Sequence, residues 1–290
     1  MHSVASLYCD KFLQMTSIFQ KLIAVSCCIV LCFFKPDIVK AQTSNLINPS
    51  LLKNKWSARW ITCPASPQRE YGVYHFRKEF SVEATPANFV VHVTADNRYR
   101  LFVNGVPVSS GPARGDLYNW YYASLNIAPY LKQGKNVIAA LVWNMGTLAP
   151  VAQISQQTGF LLQGNTDAEK LVNTNASWKV IRNESYHPCS ADNSSRLKSY
   201  MVIGPGDSVQ ADKYPWGWEQ LTYNDQQWQS AVVVTGPSSF QYGTDNLWTL
   251  QPSIIPAMYE QRKNITQIRK IGEREQNILL DVAHPLTLPA

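Results

Sequence analysis

Apolar and polar positions alternate along much of this chain in runs too short for helices. Phe89, Val91, Val93 and Ala95 fall on one side of a period-two pattern, with Val90, His92 and Thr94 on the other. Tyr99, Leu101 and Val103 repeat the pattern, and Asn104-Gly105 then separates them from Val106-Pro107-Val108. An Asn-Gly pair between β-rich runs predicts a hairpin closed by a type I′ turn, which needs positive φ at both central residues. Val137-Ile138-Ala139-Ala140-Leu141-Val142-Trp143 is apolar without a break, as expected of a central strand covered on both faces. Its lead-in, Gly134-Lys135-Asn136, reads as a turn. Trp178 to Ile181 and Ser230 to Val234 predict further strands. No long amphipathic pattern precedes residue 257. The pattern predicts an all-β protein, an antiparallel jelly-roll-like β-sandwich over roughly 55–255.

The ends differ from this middle. Leu22 to Phe34 is an uncharged, mostly apolar run between Lys21 and Lys35-Pro36. It is short for a membrane span, which takes roughly 20 apolar residues, and fits the core of a signal peptide. Cleavage is expected after Val39-Lys40-Ala41, giving a signal over 1–41, a linker over 42–55, export to the periplasm or medium, and no membrane span in the mature chain. Ala24-Val25-Ser26-Cys27 is a loose lipobox only, since apolar residues continue beyond the cysteine. Beyond residue 256 the texture becomes polar, and then Ile278-Leu279-Leu280 and Pro285-Leu286-Thr287-Leu288 read as strand material. The expectation is a linker followed by the truncated start of a second β segment.

Export changes what the cysteines mean. Four of the six lie before residue 41, and the mature chain keeps Cys63 and Cys189, either a disulfide or two separate thiols. The net charge of +6 is spread without a basic block, which argues solubility and not nucleic-acid binding. Arg114-Gly115-Asp116 reads as a tight loop and not an adhesion motif. No Gly-x-Ser-x-Gly, dinucleotide-binding or phosphate-binding loop occurs.

Several stretches together resemble the N-terminal region of bacterial α-L-rhamnosidases, secreted glycoside hydrolases of several domains. They are Trp56-Ser57-Ala58-Arg59-Trp60-Ile61, Tyr74 to Phe80, Thr94 to Gly105, Gly111 to Asp116, Asn136 to Trp143, Thr174 to Val180 and Asn224 to Trp228. The resemblance implies a galactose-binding-domain-like sandwich over 56–255. It also implies that the catalytic carboxylates belong to a downstream helical barrel, a partner this chain does not contain. Glycoside hydrolysis needs two flanking carboxylates. Asp96, Asp116, Glu70 and Glu79 show no spacing that singles out such a pair, so no catalytic residue is assigned and this chain alone is expected to be inactive.

Sugar binding remains as the candidate activity, because nine Trp and fourteen Tyr are many for this length. Carbohydrate sites combine an aromatic face with planar polar side chains. Arg114, Asp116, Asn119, Trp120 and Tyr121, with Tyr122 beside them, form one such mixture. Tyr214, Trp216, Trp218 and Glu219 form another. The expected ligands are rhamnose-containing glycans or other plant or bacterial polysaccharides. No cofactor is expected, although a structural calcium, common in related jelly rolls, could use Asp96, Asn97 or Asp116. A non-catalytic part of a rhamnosidase and a free-standing lectin-like protein both fit. The reading frame after codon 290 separates them.

Overall fold

The computed structural model describes residues 46–189, 206–234, 238–239, 247–256 and 260; at 238–239 only the backbone is considered. The expected signal segment, residues 261–290 with their strand-like runs, and two Asn-x-Ser/Thr glycosylation sequons of the sequence, at Asn193 and Asn264, lie outside the described residues.

The strands in chain order are β1 (Ile61–Thr62), β2 (Tyr71–Val82), β3 (Val90–Ala95), β4 (Arg98–Val103), β5 (Val106–Gly111), β6 (Trp120–Asn126), β7 (Gly134–Met145) and β8 (Phe160–Gly164). They continue with β9 (Lys179–Arg182), β10 (Tyr186–Pro188), β11 (Asp207–Val209), β12 (Gln229–Ser230), β13 (Val232–Val233), β14 (Ser238–Ser239) and β15 (Thr249–Pro252). Helical structure among the described residues is limited to short 3-10 turns. None of those turns is long and apolar enough to cross a membrane.

Two sheets form the sandwich. One is seven-stranded in the order β13-β1-β8-β3-β6-β15-β14, the other six-stranded in the order β12-β9-β2-β7-β4-β5, and β10 pairs with β11 separately. The period-two pattern places Phe89, Val91, Val93 and Ala95 on the inner face, opposite Tyr99, Leu101 and Val103 from the other sheet. Tyr74, Phe76, Ile138, Ala140, Phe160 and Trp178 complete this central layer. At Asn104-Gly105 both residues have positive φ, 49° and 83°, as the hairpin between β4 and β5 requires. The apolar run of β7 lies in the middle of its sheet, paired with β2 from Tyr71↔Met145 to Val82↔Gly134 and with β4 on its other side. Ala139 and Leu141 on its outer face pack with Trp218 and Trp228.

One strand expectation needs correction. The run from Ser230 to Val234 is not one strand. Its start pairs with β9 in one sheet, Ala231 N–H then bonds the Trp178 carbonyl at 2.8 Å, and Val232–Val233 pair with β1 in the other sheet. Buried Ala231 is the point at which the chain changes sheets. The sandwich is antiparallel as expected, with parallel pairing among the described residues along one flank only. β15 runs parallel to both β6 and β14. More than a hundred residues separate β6 from β15, so no hairpin dictates their direction.

Both outer faces are covered in part. Over the seven-stranded sheet, Trp56, Trp60, Trp120, Tyr122, Trp248 and Leu250 form a second apolar cluster. Trp60 and Trp248 stack with ring centres 4.2 Å apart. Over the six-stranded sheet the segment 206–228 supplies a third cluster, and buried Arg77 on β2 anchors it. The guanidinium reaches Asp225 at 2.9 Å, donates to the carbonyls of Trp218 and Gln220, and lies 5.3 Å from the Tyr223 ring centre. A buried cation is tolerated because every direction around it holds an acceptor or an aromatic face.

Candidate functional site: two aromatic faces on a β-sandwich

The first group of sequence candidates lies in the connection from β5 to β6. Asp116 accepts hydrogen bonds from the Tyr118 and Asn119 backbone N–H groups at 2.8 and 2.9 Å, and from the Asn119 amide at 3.0 Å. Those bonds, the Asn119 amide first, hold its carboxyl below the ordinary range. A side chain at Gly115 would come within 1.9 Å of the Asn119 carbonyl, so the glycine is needed for the turn to close. Asn119 also accepts from the Gln251 amide at 2.6 Å, which ties the turn to β15. Arg114 is exposed, and its charge adds to burial in depressing the Arg98 pKa.

Trp120 and Tyr121 part company here. Successive residues of β6 point to opposite faces. Tyr121 is half-buried, while Trp120 is 3% exposed and packs edge-on to Trp248. Trp120 is therefore core, and it cannot serve as the sugar-stacking ring that the sequence suggested. Tyr122 is buried too, edge-on to Trp56. What this loop leaves exposed is Arg114, Asp116 and Tyr118.

The second group divides in the same way. Trp218 is 2% exposed, its indole N–H bonding the Tyr214 hydroxyl at 3.1 Å and its ring lying 4.1 Å from His75. Trp216 is 55% exposed, fixed by a 2.8 Å bond from its indole N–H to the Ala211 carbonyl, with the Tyr214 ring 4.6 Å away. Glu219 is partly exposed beside them. Two residues that sequence reasoning missed extend this surface. Tyr186 on β10 lies 6.1 Å from Tyr214, and Tyr71 on β2 donates from its hydroxyl to exposed Asp207 at 2.6 Å. Burial pushes the Tyr186 phenol up to about 12 and raises Tyr71 and Tyr214 as well, so all three stay protonated donors near neutrality. The result is a half-exposed row of rings with polar edges. The two candidate groups lie on different sheets and do not form one site.

Asp96 is not a calcium ligand in this arrangement. Its buried carboxylate accepts from Ser155 Oγ at 2.5 Å, Gln156 N–H at 2.7 Å, Gln157 N–H at 3.2 Å, the Asn97 amide at 2.7 Å and the Trp248 indole at 3.0 Å. Donors point at it from all sides, and a cation would face their positive ends. Asn97 Oδ1 accepts from Met145 N–H at 3.0 Å, and Asp116 is closed into its turn. Among the described residues no three His, Cys, Asp or Glu side chains converge to hold a metal. Of the other carboxylates considered, Glu70 is exposed and Glu79 lies 3.5 Å from Arg77. Cys63 is buried and Cys189 exposed, each a free thiol, so the pairing left open by the sequence is not made. Asn183, which begins a sequon, is buried and bonds the His75 ring at 2.7 Å.

Architecture and exposed rings define a two-sheet β-sandwich module with aromatic outer surfaces. The family model described as the α-L-rhamnosidase N-terminal domain matches residues 84–245, more than half of the chain, and the chain belongs to that family. An α-L-rhamnosidase of Alteromonas sp. (strain LOR) is 22% identical over 237 residues, covering 71% of this chain and 24% of the relative. The GH78-family rhamnosidase of Bacillus sp. GL1 superposes with a TM-score of 0.60 at 26% identity, over 70% of this chain and 20% of that one. The chain thus spans about a quarter of the length of its curated relative. A Pleurotus ostreatus lectin in its apo form is similar at a TM-score of 0.43 and 20% identity, over 70% of this chain and 46% of the lectin, too distant to bear on ligands.

Proposed function

We propose that this chain is the non-catalytic N-terminal β-sandwich part of an α-L-rhamnosidase-like glycoside hydrolase, serving carbohydrate recognition or packing on the catalytic domain. The family match over residues 84–245 carries the reading. Its support within the molecule is that Asp96, Asp116, Glu79 and Asp225 are each engaged by turn or strand partners. General acid and base would have to face one another across a bound glycoside. The sugar-binding surface in this reading is Tyr214 and Trp216 with Tyr186, Tyr71 and Asp207, and the ligands are rhamnose-bearing glycans or related polysaccharides.

Titration of the purified chain with a rhamnose-bearing glycan should show binding that Trp216→Ala weakens about two- to tenfold, as loss of one stacking ring implies. The same chain should release no nitrophenol from nitrophenyl α-L-rhamnoside above buffer. Turnover abolished by changing one Asp or Glu would refute the non-catalytic assignment, and equal glycan affinity in Trp216→Ala would move the binding surface elsewhere. Export belongs to the same reading, motivated by the apolar run from Leu22 to Phe34. N-terminal sequencing of exported product should begin at or near Gln42; an uncleaved membrane-embedded chain would contradict it.

A further inference from the structure

The aromatic surface continues past Tyr71 across the six-stranded sheet. On β7, Ile138, Ala140 and Val142 point into the sandwich, so the residues between and beyond them face outward. Trp143 is one of these, half-buried against the same cluster as Tyr71, Tyr186 and Tyr214. It stands opposite Val73 of β2, two residues on from Tyr71, and on its other side opposite Arg98 of β4. Tyr99, Leu101 and Val103 of β4 point inward, which leaves Arg98 and Arg100 on the outer face with Trp143. From β2 to β4 is two strand spacings, about 10 Å.

This face ends in positive charge. Arg114 stands where the chain leaves β5, before the connection crosses to β6 in the other sheet, and Gly111 three residues earlier is paired with Tyr99. Burial, and then the nearby charge of Arg114, lower the Arg98 pKa. Neither guanidinium has an ion-pair or hydrogen-bond partner among the described residues, whereas Arg69, Arg77, Arg100 and Arg182 all do. The neighbouring acids are engaged elsewhere. Asp116 accepts from the donors of its own turn, and Glu260 is held by Arg100 at 3.4 Å and by the Ser110 hydroxyl at 2.9 Å. Half-buried Arg98 has therefore lost water without gaining acceptors, and it has a like charge beside it.

Resting on the sugar-binding reading given above, we propose that the glycan taken by the Tyr214–Trp216 surface is an acidic one, with its carboxylate or sulfate group held by Arg98 and Arg114 and an adjoining sugar ring against Trp143. Each guanidinium presents N–H groups in a planar fork that matches two oxygens of such an anion. One anion between the two arginines removes their repulsion and supplies the acceptors that Arg98 lacks. The indole beside them offers an apolar face to the ring C–H groups. The separation of β2 from β4 calls for more than one sugar, so that the chain can reach Tyr71 and Arg98 together.

Calorimetric titration of the full chain at low salt with a rhamnose-containing oligosaccharide in neutral, uronate-bearing and sulfated forms tests this. At least one acidic form should bind about tenfold more tightly than the neutral one, and the tighter of the two identifies the anion. Arg98→Gln combined with Arg114→Gln removes side chains that bond nothing in the fold, so this variant should melt like wild type and bind all three forms alike. Arg59→Gln takes the same charge from an exposed residue beside β1, on the other sheet, and should leave the preference intact. Trp216→Ala should weaken all three forms together. Equal affinities for the three in the wild type, each lowered by Trp216→Ala, would overturn the arginine site and leave the aromatic surface standing. An acidic preference that survives in the double variant, or that Arg59→Gln also removes, would overturn it too. Absence of binding by any form would overturn the arginine site and the aromatic surface together.

Discussion

Urea melts taken at decreasing pH should show the sandwich losing about 3 kcal/mol of stability between pH 6.5 and pH 5 from two histidines alone. Burial lowers His75 from 6.5 to about 3 and His92 to about 4. His75 sits under Trp218 with Nδ1 unpartnered, and His92 lies between Ser124 at 2.9 Å and Asn165 at 3.0 Å. Asn165 Oδ1 also accepts from Asn48 N–H, so it can only receive from the imidazole. His92 Nε2 therefore carries the proton, and Nδ1 accepts from Ser124. Both rings stay neutral in the folded chain while the unfolded chain takes up protons below about 6.5. The stability is present above that pH and is lost as pH falls toward the folded values, by about 1.4 kcal/mol per unit for each ring. Asp96 works in the opposite direction, because burial raises its pKa and the folded form gains its proton first. Replacing His75 by Phe, a ring suited to its aromatic neighbours, should halve the slope. A flat midpoint from pH 7.5 to 5 would show that the folded chain accepts both protons.

Asp96→Ala should cost about 3–5 kcal/mol of unfolding free energy, since each buried donor left unpaired costs about 1–3 kcal/mol and some will recruit water. The carboxylate joins parts of the chain that are far apart in sequence. Its oxygens organise the backbone at Gln156 and Gln157, hold Ser155, and orient Trp248, whose ring covers Trp60. Asp96→Asn should lose nearly as much, because its amide would turn an N–H₂ toward N–H donors. Trp248→Phe, which removes one donor and keeps a ring, should cost less than either. A denaturant midpoint for Asp96→Ala that implies less than about 1 kcal/mol would mean the donors find other partners readily.

Local chemistry was legible in the sequence where one element decides its own conformation. Asn104-Gly105 has to turn as it does, and the alternation from Phe89 to Ala95 assigns the inner face without outside help. The unbroken run of β7 foretold burial on both sides. Side chains whose partners are distant were not legible. Arg77 looked like an ordinary strand residue, yet three of its acceptors lie 141 to 148 positions away. Asp96 looked like a turn residue or a metal ligand, and the Trp248 indole that it receives is 152 positions on. Clusters of aromatics were the most misleading. Trp216 and Trp218 are two residues apart, and only packing against His75 and Phe102 decides that one is core and the other surface. Tyr71 and Tyr186 join Tyr214 only because strands from elsewhere bring them there.

The parallel placement of β15 between β6 and β14 has a consequence for how the chain acquires its structure. The ribosome delivers residues in order, and strands β1 to β13 are all made before Trp248 exists to cap Asp96 or Leu250 to pair beside Trp120. A nascent chain stopped short of residue 248 therefore carries a buried carboxylate missing a donor and a sheet with an exposed flank. At about 5–20 residues per second, the interval between finishing β6 and finishing β15 is several seconds or more. Contacts spanning such separations also slow the search itself. During that interval the molecule is a substrate for chaperones and for aggregation. Domain-boundary choices that remove β15 for convenience should yield insoluble protein, even though every motif by which the family is recognised would still be present.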